Sequence, residues 1–311
     1  MQTLSSRKSK PPVVLVHGGA GSREADEKLR EQRSRLVAAL AEETWARVAA
    51  GESAVEAAGR IVRELEASPL FNAGRGAVLQ SDGLARLSAS LMDGKRQKFS
   101  GVLLATHLIH PSRLALALQD RTESVLGPLG AQLLARELGL PPENPATANR
   151  ARQWAERLEK PPEGERVSGT VGAVVLDLAG NLAAATSTGG SRCNFPERVS
   201  DSATVAGNYA SAFAAISCTG VGEQIVDDGL AVRLETRVRD GSTLPDASER
   251  TFREALDRKQ EYGWIGVDHS GAWVMYWTTE DMICAVRSGD PDSALRSSRP
   301  RSARRRREAG S

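Results

Sequence analysis

Three cysteines and four histidines are all that this 311-residue chain offers to disulfide, metal or imidazole chemistry. Cys193, Cys218 and Cys284 have no C-x-x-C spacing and make no even set. Neither a disulfide framework nor a structural zinc site is expected, and the reading is a reducing, cytoplasmic protein. No apolar run approaches membrane length, and the opening MQTLSSRKSKPP carries no hydrophobic segment behind it. Export and membrane insertion are therefore not indicated. The patterns G-x-S-x-G, G-x-x-x-x-G-K-[ST] and H-E-x-x-H are all missing, which removes the serine elbow, the P-loop and the two-histidine zinc helix.

What is present is enough for a large core: 40% of the residues are hydrophobic and 26% charged, as in one big domain or two ordinary ones. The net charge of +2 conceals an asymmetry, because residues 296–311 hold seven arginines and one glutamate and leave −4 on the rest. That tail lacks apolar residues and is expected to be a disordered basic extension; an acidic body argues against nucleic acid as a partner.

The chain is organised around residues 168–190, SGTVGAVVLDLAGNLAAATSTGG. Two apolar runs, Val171–Leu176 and Leu182–Ala185, flank a turn and predict a buried β-hairpin. An antiparallel return brings Gly169-Thr170 close to Thr186–Gly190. Threonine is a good strand residue, but hydroxyls and glycines at an open hairpin end also suit nucleophilic chemistry. Residues 141–168, rich in Pro, Glu, Arg and Lys, read as a flexible linker running straight into Gly169-Thr170, which is what a cleavable junction needs.

Upstream, Val13–Val16 is a short strand ending in His17-Gly18-Gly19-Ala20-Gly21, where His17 is either a base or a structural hydrogen-bonder. Helices are predicted over 27–49, from the Ser53/Glu56 capping box to Leu65, over 112–138 and near 247–260. Asn72, in LFNAGRGAV, is a turn-former or a side chain aimed into a site. Downstream, Arg198 and Asp201 are three apart, either a surface ion pair or a grip for a zwitterion. Thr219-Gly220-Val221-Gly222 opens a helix and suits an oxyanion or carboxylate. A second hairpin is expected in GWIGVDHSGAWVMYW.

Seven pieces in order now resemble the plant-type asparaginase and isoaspartyl peptidase family of N-terminal nucleophile hydrolases. They are VHGGAG (16–21), FNAGRGAV (71–78), MDG (92–94), GTVGAVVLD (169–177), GNLAAATSTGG (180–190), RVSD (198–201) and CTGVGE (218–223). The resemblance implies an α/β fold, a four-layer αββα sandwich formed by one domain. It implies self-cleavage between Gly169 and Thr170 into an α chain of 169 residues and a β chain of 142. The freed α-amino group, with an ordinary pKa of about 8, then serves as the base for a hydroxyl that is otherwise a weak nucleophile.

By the same resemblance, Thr170 attacks L-asparagine or a β-aspartyl dipeptide, Thr188 tunes it, and Thr219 with Gly220 stabilises the oxyanion. Arg198 holds the substrate carboxylate, Asp201 its ammonium, Gly222 completes the pocket, and Asn72 points to the nucleophile. Leu65, Glu66, Ser68, Phe71, Ala73 and Arg75 stand where the family binds a structural sodium ion through backbone carbonyls; no cofactor takes part in the chemistry. Two αβ units are implied to pair. Departures are Ser88 for a common Asp, Ser200 for Gly, and Glu197 for Gly, the last two flanking the substrate clamp. The alternatives are a glycosylasparaginase, which the opening sequence disfavours, a threonine endopeptidase of the same superfamily, and an unprocessed binding relative.

Overall fold

The predicted central hairpin lies in the middle of an eight-stranded sheet in the computed structural model, which describes residues 2–159, 169–289 and 295–297. In chain order the first strands and helices are β1 (Gln2–Ser6), β2 (Val13–Gly21), α1 (Glu27–Ala49), α2 (Ala54–Ala67), β3 (Leu87–Asp93) and β4 (Lys98–Ala105). There follow α3 (Pro111–Leu118), β5 (Val125–Leu126), α4 (Pro128–Glu137), α5 (Ala148–Glu159), β6 (Val171–Leu176) and β7 (Leu182–Thr188). The rest comprises β8 (Asn208–Ala210), β9 (Ala214–Gly220), α6 (Gly222–Asp228), α7 (Leu230–Arg239), α8 (Leu244–Asp257), β10 (Tyr262–Asp268), β11 (Trp273–Trp277), β12 (Asp281–Ser288) and β13 (Arg296–Ser297).

The larger sheet has the order β13-β12-β2-β6-β7-β3-β4-β5, and a five-stranded sheet has the order β1-β11-β10-β9-β8. Both faces of β6 are buried, and its alternation shows why the run had to be apolar throughout. Val171, Ala173 and Val175 pack with Val37, Trp45, Ile61 and Leu65 of α1 and α2, whereas Val174 and Leu176 pack with Ala215, Ile265 and Met275 of the other sheet. On the outer side of the smaller sheet, Leu230, Leu234 and Val238 of α7 and Ala247 and Ala255 of α8 close a third cluster. Helices therefore cover both outer faces of two stacked sheets, giving the αββα sandwich.

Caps explain where the helices begin. Asp26 accepts from the Lys28 and Leu29 amides, Ser53 accepts from the Glu56 amide, and Thr243 from that of Asp246. The helix predicted over 112–138 is in fact two: α3 stops at Leu118 with Gln119 as its C-cap, and after the short strand β5 Gly127-Pro128 starts α4.

Two further expectations change, and one strand is added. The linker at 141–168 is not featureless: 148–159 form α5, whose Trp154 indole donates to the Gln80 carbonyl at 2.9 Å and whose Arg150 Nε donates to the Gly76 carbonyl at 2.7 Å. Residues 160–168 lie outside the described residues. Of the basic tail at 296–311, Arg296 and Ser297 pair with Val286 and Ala285, and the remainder lies outside the described residues. The polar N-terminus contributes β1, paired with β11 from Gln2↔Trp277 to Ser6↔Trp273.

Candidate active site

Period-two alternation places the threonines before any geometry is measured. On β6 and β7 the even-numbered side chains face the other sheet, and on β9 the odd-numbered ones face back. Thr170, one residue before β6, Thr188 at the end of β7 and Thr219 near the end of β9 therefore point into the same inter-sheet layer at one end of the sandwich. The pairing Val171↔Ser187 sets Thr170 beside Thr188. The Thr170 hydroxyl donates to Thr188 Oγ1 at 3.1 Å, and the Thr219 hydroxyl reaches the Thr170 carbonyl at 3.4 Å. All three are buried. Thr188 Oγ1 also accepts from the Gly190 amide at 3.1 Å, and Thr219 Oγ1 from the Ala20 amide at 3.2 Å.

Two residues back along each strand lies a second polar layer that the sequence reading missed. Ser217 Oγ is 2.7 Å from Thr186 Oγ1 and 2.9 Å from His17 Nε2, all fully buried. The signal was the same parity: Thr186 precedes Thr188 by two, and Ser217 precedes Thr219 by two. Burial pushes the His17 imidazole down to about 3, with the Thr170 backbone pulling weakly the other way. A ring that stays neutral and is tied to Ser217 resolves the choice left open for His17 in favour of a structural hydrogen-bonder.

Gly169 is gripped from both sides. Gly19, at φ +113°, is so close that a Cβ there would fall 2.9 Å from the Gly169 Cα, and a Cβ on Gly169 would fall 2.7 Å from that of Asn72. That φ belongs to glycine, and so does the space. Asn72 does not aim its amide at the nucleophile. Its Nδ2 donates to the Gly190 carbonyl at 2.7 Å, its Oδ1 accepts from the Val78 amide at 2.9 Å, and its carbonyl accepts from the Gly189 amide at 2.9 Å. It braces the end of β7 against the residue preceding Thr170.

Arg198, Asp201 and Gly222 also converge. A Cβ on Gly222 would sit 2.7 Å from Arg198 Nη2 and 2.8 Å from Asp201 Oδ1, so only glycine lets the pair meet there. Arg198 forks onto Glu223 Oε1 through Nε at 2.8 Å and Nη2 at 2.7 Å. Asp201 is buried; its Oδ1 accepts from the Ser200 hydroxyl at 3.0 Å, while Oδ2 finds no hydrogen-bond partner among the described residues. Burial pushes this carboxyl up to about 7, against the pull of Ser200 and Arg198. Gly220, at φ +137°, ends β9 opposite Tyr262.

Of the three departures from the family pattern, two serines have local hydrogen-bonding roles and the glutamate takes up a glycine-like backbone conformation. Glu197 has φ +64°, a conformation that favours the glycine usual there. Ser200 supplies the hydroxyl that bonds Asp201, and it caps the Ser202 amide at 3.3 Å. Ser88 Oγ accepts from the Leu104 amide at 3.1 Å.

At the end of α2 and in the loop after it, backbone carbonyls lie close against glycines. A Cβ on Gly74 would lie 2.2 Å from the Glu66 carbonyl oxygen, and one on Gly76 would lie 2.1 Å from that of Phe71. The Glu66 carboxylate is turned away, taking the Ser112 hydroxyl at 2.6 Å and amide at 3.2 Å. Among the described residues no group of three or more His, Cys, Asp or Glu side chains could hold a metal, so carbonyls are what this loop offers a hard cation.

Comparison with known proteins identifies the family. Residues 10–295 match the family described as Asparaginase. The chain is 43% identical over 296 residues to an isoaspartyl peptidase/L-asparaginase of Synechocystis sp., covering 89% of this chain and 88% of that one. It is 37% identical over 295 residues to an isoaspartyl peptidase of Salmonella typhimurium, covering 88% and 94%. It is 37% identical over 289 residues to an isoaspartyl peptidase/L-asparaginase of Rattus norvegicus, covering 89% and 86%.

Proposed function

Because this chain belongs to the asparaginase family of self-processing amidohydrolases, we propose that it cleaves itself before Thr170 and then hydrolyses L-asparagine and β-aspartyl dipeptides. The observation that carries this is the meeting of Thr170, Thr188 and Thr219 hydroxyls beside a gripped Gly169.

In the uncleaved chain Thr170 Oγ attacks the Gly169 carbonyl carbon through a five-membered ring. The C–N bond breaks as the C–O bond forms, the amide nitrogen takes the proton, and water hydrolyses the ester. Gly169 leaves as a carboxylate, and Thr170 gains the α-amino group that acts as its base.

In turnover, Thr170 Oγ bonds to the side-chain carbonyl carbon of the substrate and its proton passes through the α-amino group to the departing nitrogen. Water then releases aspartate. Thr188 orients the hydroxyl, and Thr219 with the Gly220 N–H stabilises the oxyanion. Arg198 holds the α-carboxylate, Asp201 the α-ammonium, and Gly222 leaves room for both; Asn72 positions the scissile segment. Denaturing intact mass before and after incubation, followed by assays on asparagine and a β-aspartyl dipeptide, tests the reading. One intact chain with no hydrolysis would overturn it.

Cleavage does not separate the halves. Strand β2 from the first fragment lies between β12 and β6 from the second, and β7 from the second pairs with β3 from the first. We read the active species as cytoplasmic and as two paired αβ units. Among the described residues no helix is long and apolar enough to cross a membrane, and no cysteine forms a disulfide. Sedimentation of the processed protein checks the pairing.

Asp201 gives a pH dependence. Ionised, it attracts an ammonium; with its carboxyl pushed up to about 7, it loses charge as pH falls through that value. L-Aspartate is expected to bind about tenfold more weakly at pH 6 than at pH 8, measured by calorimetry on the processed protein. Equal affinities at the two pH values would remove this role.

The backbone carbonyls of Leu65, Glu66, Ser68, Phe71, Ala73 and Arg75 are proposed to hold a sodium ion, a structural ion with no part in the chemistry; those of Glu66 and Phe71 lie close against Gly74 and Gly76. At ten times its dissociation constant such an ion stabilises by about 1.4 kcal/mol. The melting temperature is therefore expected to fall by about 2 °C when sodium is replaced by choline at equal ionic strength. Identical melting curves would count against the site.

A further inference from the structure

The chemistry above assigns Arg198 and Asp201 to the two ends of a zwitterion and gives Glu223 no part. Glu223 directly follows Gly222 in the first turn of α6, which the chain enters through Gly220-Val221-Gly222 at the end of β9. Arg198 comes from the loop after β7, so two remote segments meet in this pair. Both contacts from Arg198, Nε at 2.8 Å and Nη2 at 2.7 Å, run to one oxygen, Glu223 Oε1. The Arg198 side chain is 14% exposed and that of Glu223 61%, so a mostly buried guanidinium is held by a mostly exposed carboxylate.

A guanidinium is a flat fork with five N–H donors. The Nε–H and one Nη2 hydrogen form one edge, and Glu223 takes it. The end edge, Nη1 with the second Nη2 hydrogen, is not used by Glu223, and such an edge matches a carboxylate through two parallel bonds.

A second consequence concerns Asp201. Arg198 Nη2 and Asp201 Oδ1 both approach Gly222, where a Cβ would lie 2.7 and 2.8 Å from them. Among the described residues, however, the ion pair of Arg198 is with Glu223 and none joins it to Asp201. A buried carboxylate attracts a neighbouring guanidinium strongly, and Asp201 Oδ2 has no hydrogen-bond partner among the described residues. An Arg198 that swung onto Asp201 would neutralise both ends of the clamp and fill the space a zwitterion needs. Glu223 pulls the other way.

We infer that Glu223 is a positioning residue: its carboxylate holds one edge of Arg198, keeps the guanidinium from closing onto Asp201, and leaves the end edge for the substrate α-carboxylate. The inference rests on Arg198 and Asp201 being the substrate clamp. Charge alone predicts the opposite sign, because a carboxylate near the substrate's own carboxylate repels it and its removal would tighten binding. An acid in the first turn also supports a helix without any arginine, an effect confined to stability.

The test measures kcat and KM on the processed protein at pH 8 for L-asparagine and β-aspartyl-leucine, which share the aspartyl head. That pH lies above the value of about 7 to which burial pushes the Asp201 carboxyl, so Asp201 is mostly ionised throughout. Glu223→Ala is expected to raise KM about 3- to 10-fold on both substrates with kcat within about twofold, the range for a charge-assisted hydrogen-bonded pair at a part-exposed site. Glu223→Gln keeps an acceptor oxygen for the fork and should recover most of that loss. In an Arg198→Ala background, Glu223→Ala should change kcat/KM by less than about twofold, since the residue it acts through is gone. An unchanged or lowered KM in Glu223→Ala, or an equal loss in both backgrounds, overturns the positioning role and leaves the nucleophile in place. A wild-type protein that hydrolyses neither substrate would instead overturn the nucleophile reading, and this role with it.

Discussion

Replacing Thr170 by Ala is expected to leave a single 33.2 kDa chain that neither cleaves itself nor hydrolyses any β-aspartyl substrate. The substitution removes a methyl group and one oxygen, and that oxygen is required twice. It attacks the Gly169 carbonyl in maturation and the substrate carbonyl in turnover, so activity should drop by about four orders of magnitude or more, as for other deleted nucleophiles. Structural damage should be small. Thr170 lies at the edge of β6, and the variant gives up its 3.1 Å hydrogen bond to Thr188, worth about 1 kcal/mol. The melting curve therefore separates lost chemistry from lost folding. Thr170→Ser, which restores the hydroxyl without the methyl, is expected to process and turn over at a reduced rate. A Thr170→Ala protein that still produced two fragments would place the nucleophile elsewhere.

How much of this was legible in the sequence depended on whether a residue's role was local. The hairpin at 171–188 could be read because its strands are continuous apolar runs around a turn, and both faces of β6 are indeed covered. Helix starts could be read because Asp26, Ser53 and Thr243 are local caps. By contrast, α5 was hidden in the linker: none of its residues is buried, and its docking depends on the distant Gln80 and Gly76 carbonyls. β1 escaped notice for a similar reason, since its polar alternation becomes a strand only against β11. The side-chain direction of Asn72 also could not be seen, because its partners Gly190 and Val78 are set by tertiary packing. The buried layer of His17, Thr186 and Ser217 follows from strand parity once β9 is known to face β6 and β7. Nothing in a single strand announces that facing.

That parity leads to the second large effect, Thr219→Val. Valine matches threonine in shape, so β9 should keep its place opposite β10. What disappears is a hydroxyl at the meeting point of two segments: it reaches the Thr170 carbonyl at 3.4 Å and accepts the Ala20 amide at 3.2 Å. As an oxyanion donor it acts most strongly when negative charge develops, so kcat is expected to fall about 100- to 1000-fold with a smaller change in KM. The Ala20 amide also loses an acceptor in a buried setting, which costs about 1–3 kcal/mol and lowers the melting temperature. Thr219→Ser keeps the oxygen and should recover most of kcat while leaving a methyl-sized gap. The pair of variants separates the two roles. If Ser lowered kcat and Val did not, the methyl's packing would be what matters, and the oxyanion assignment would pass to the Gly220 N–H alone.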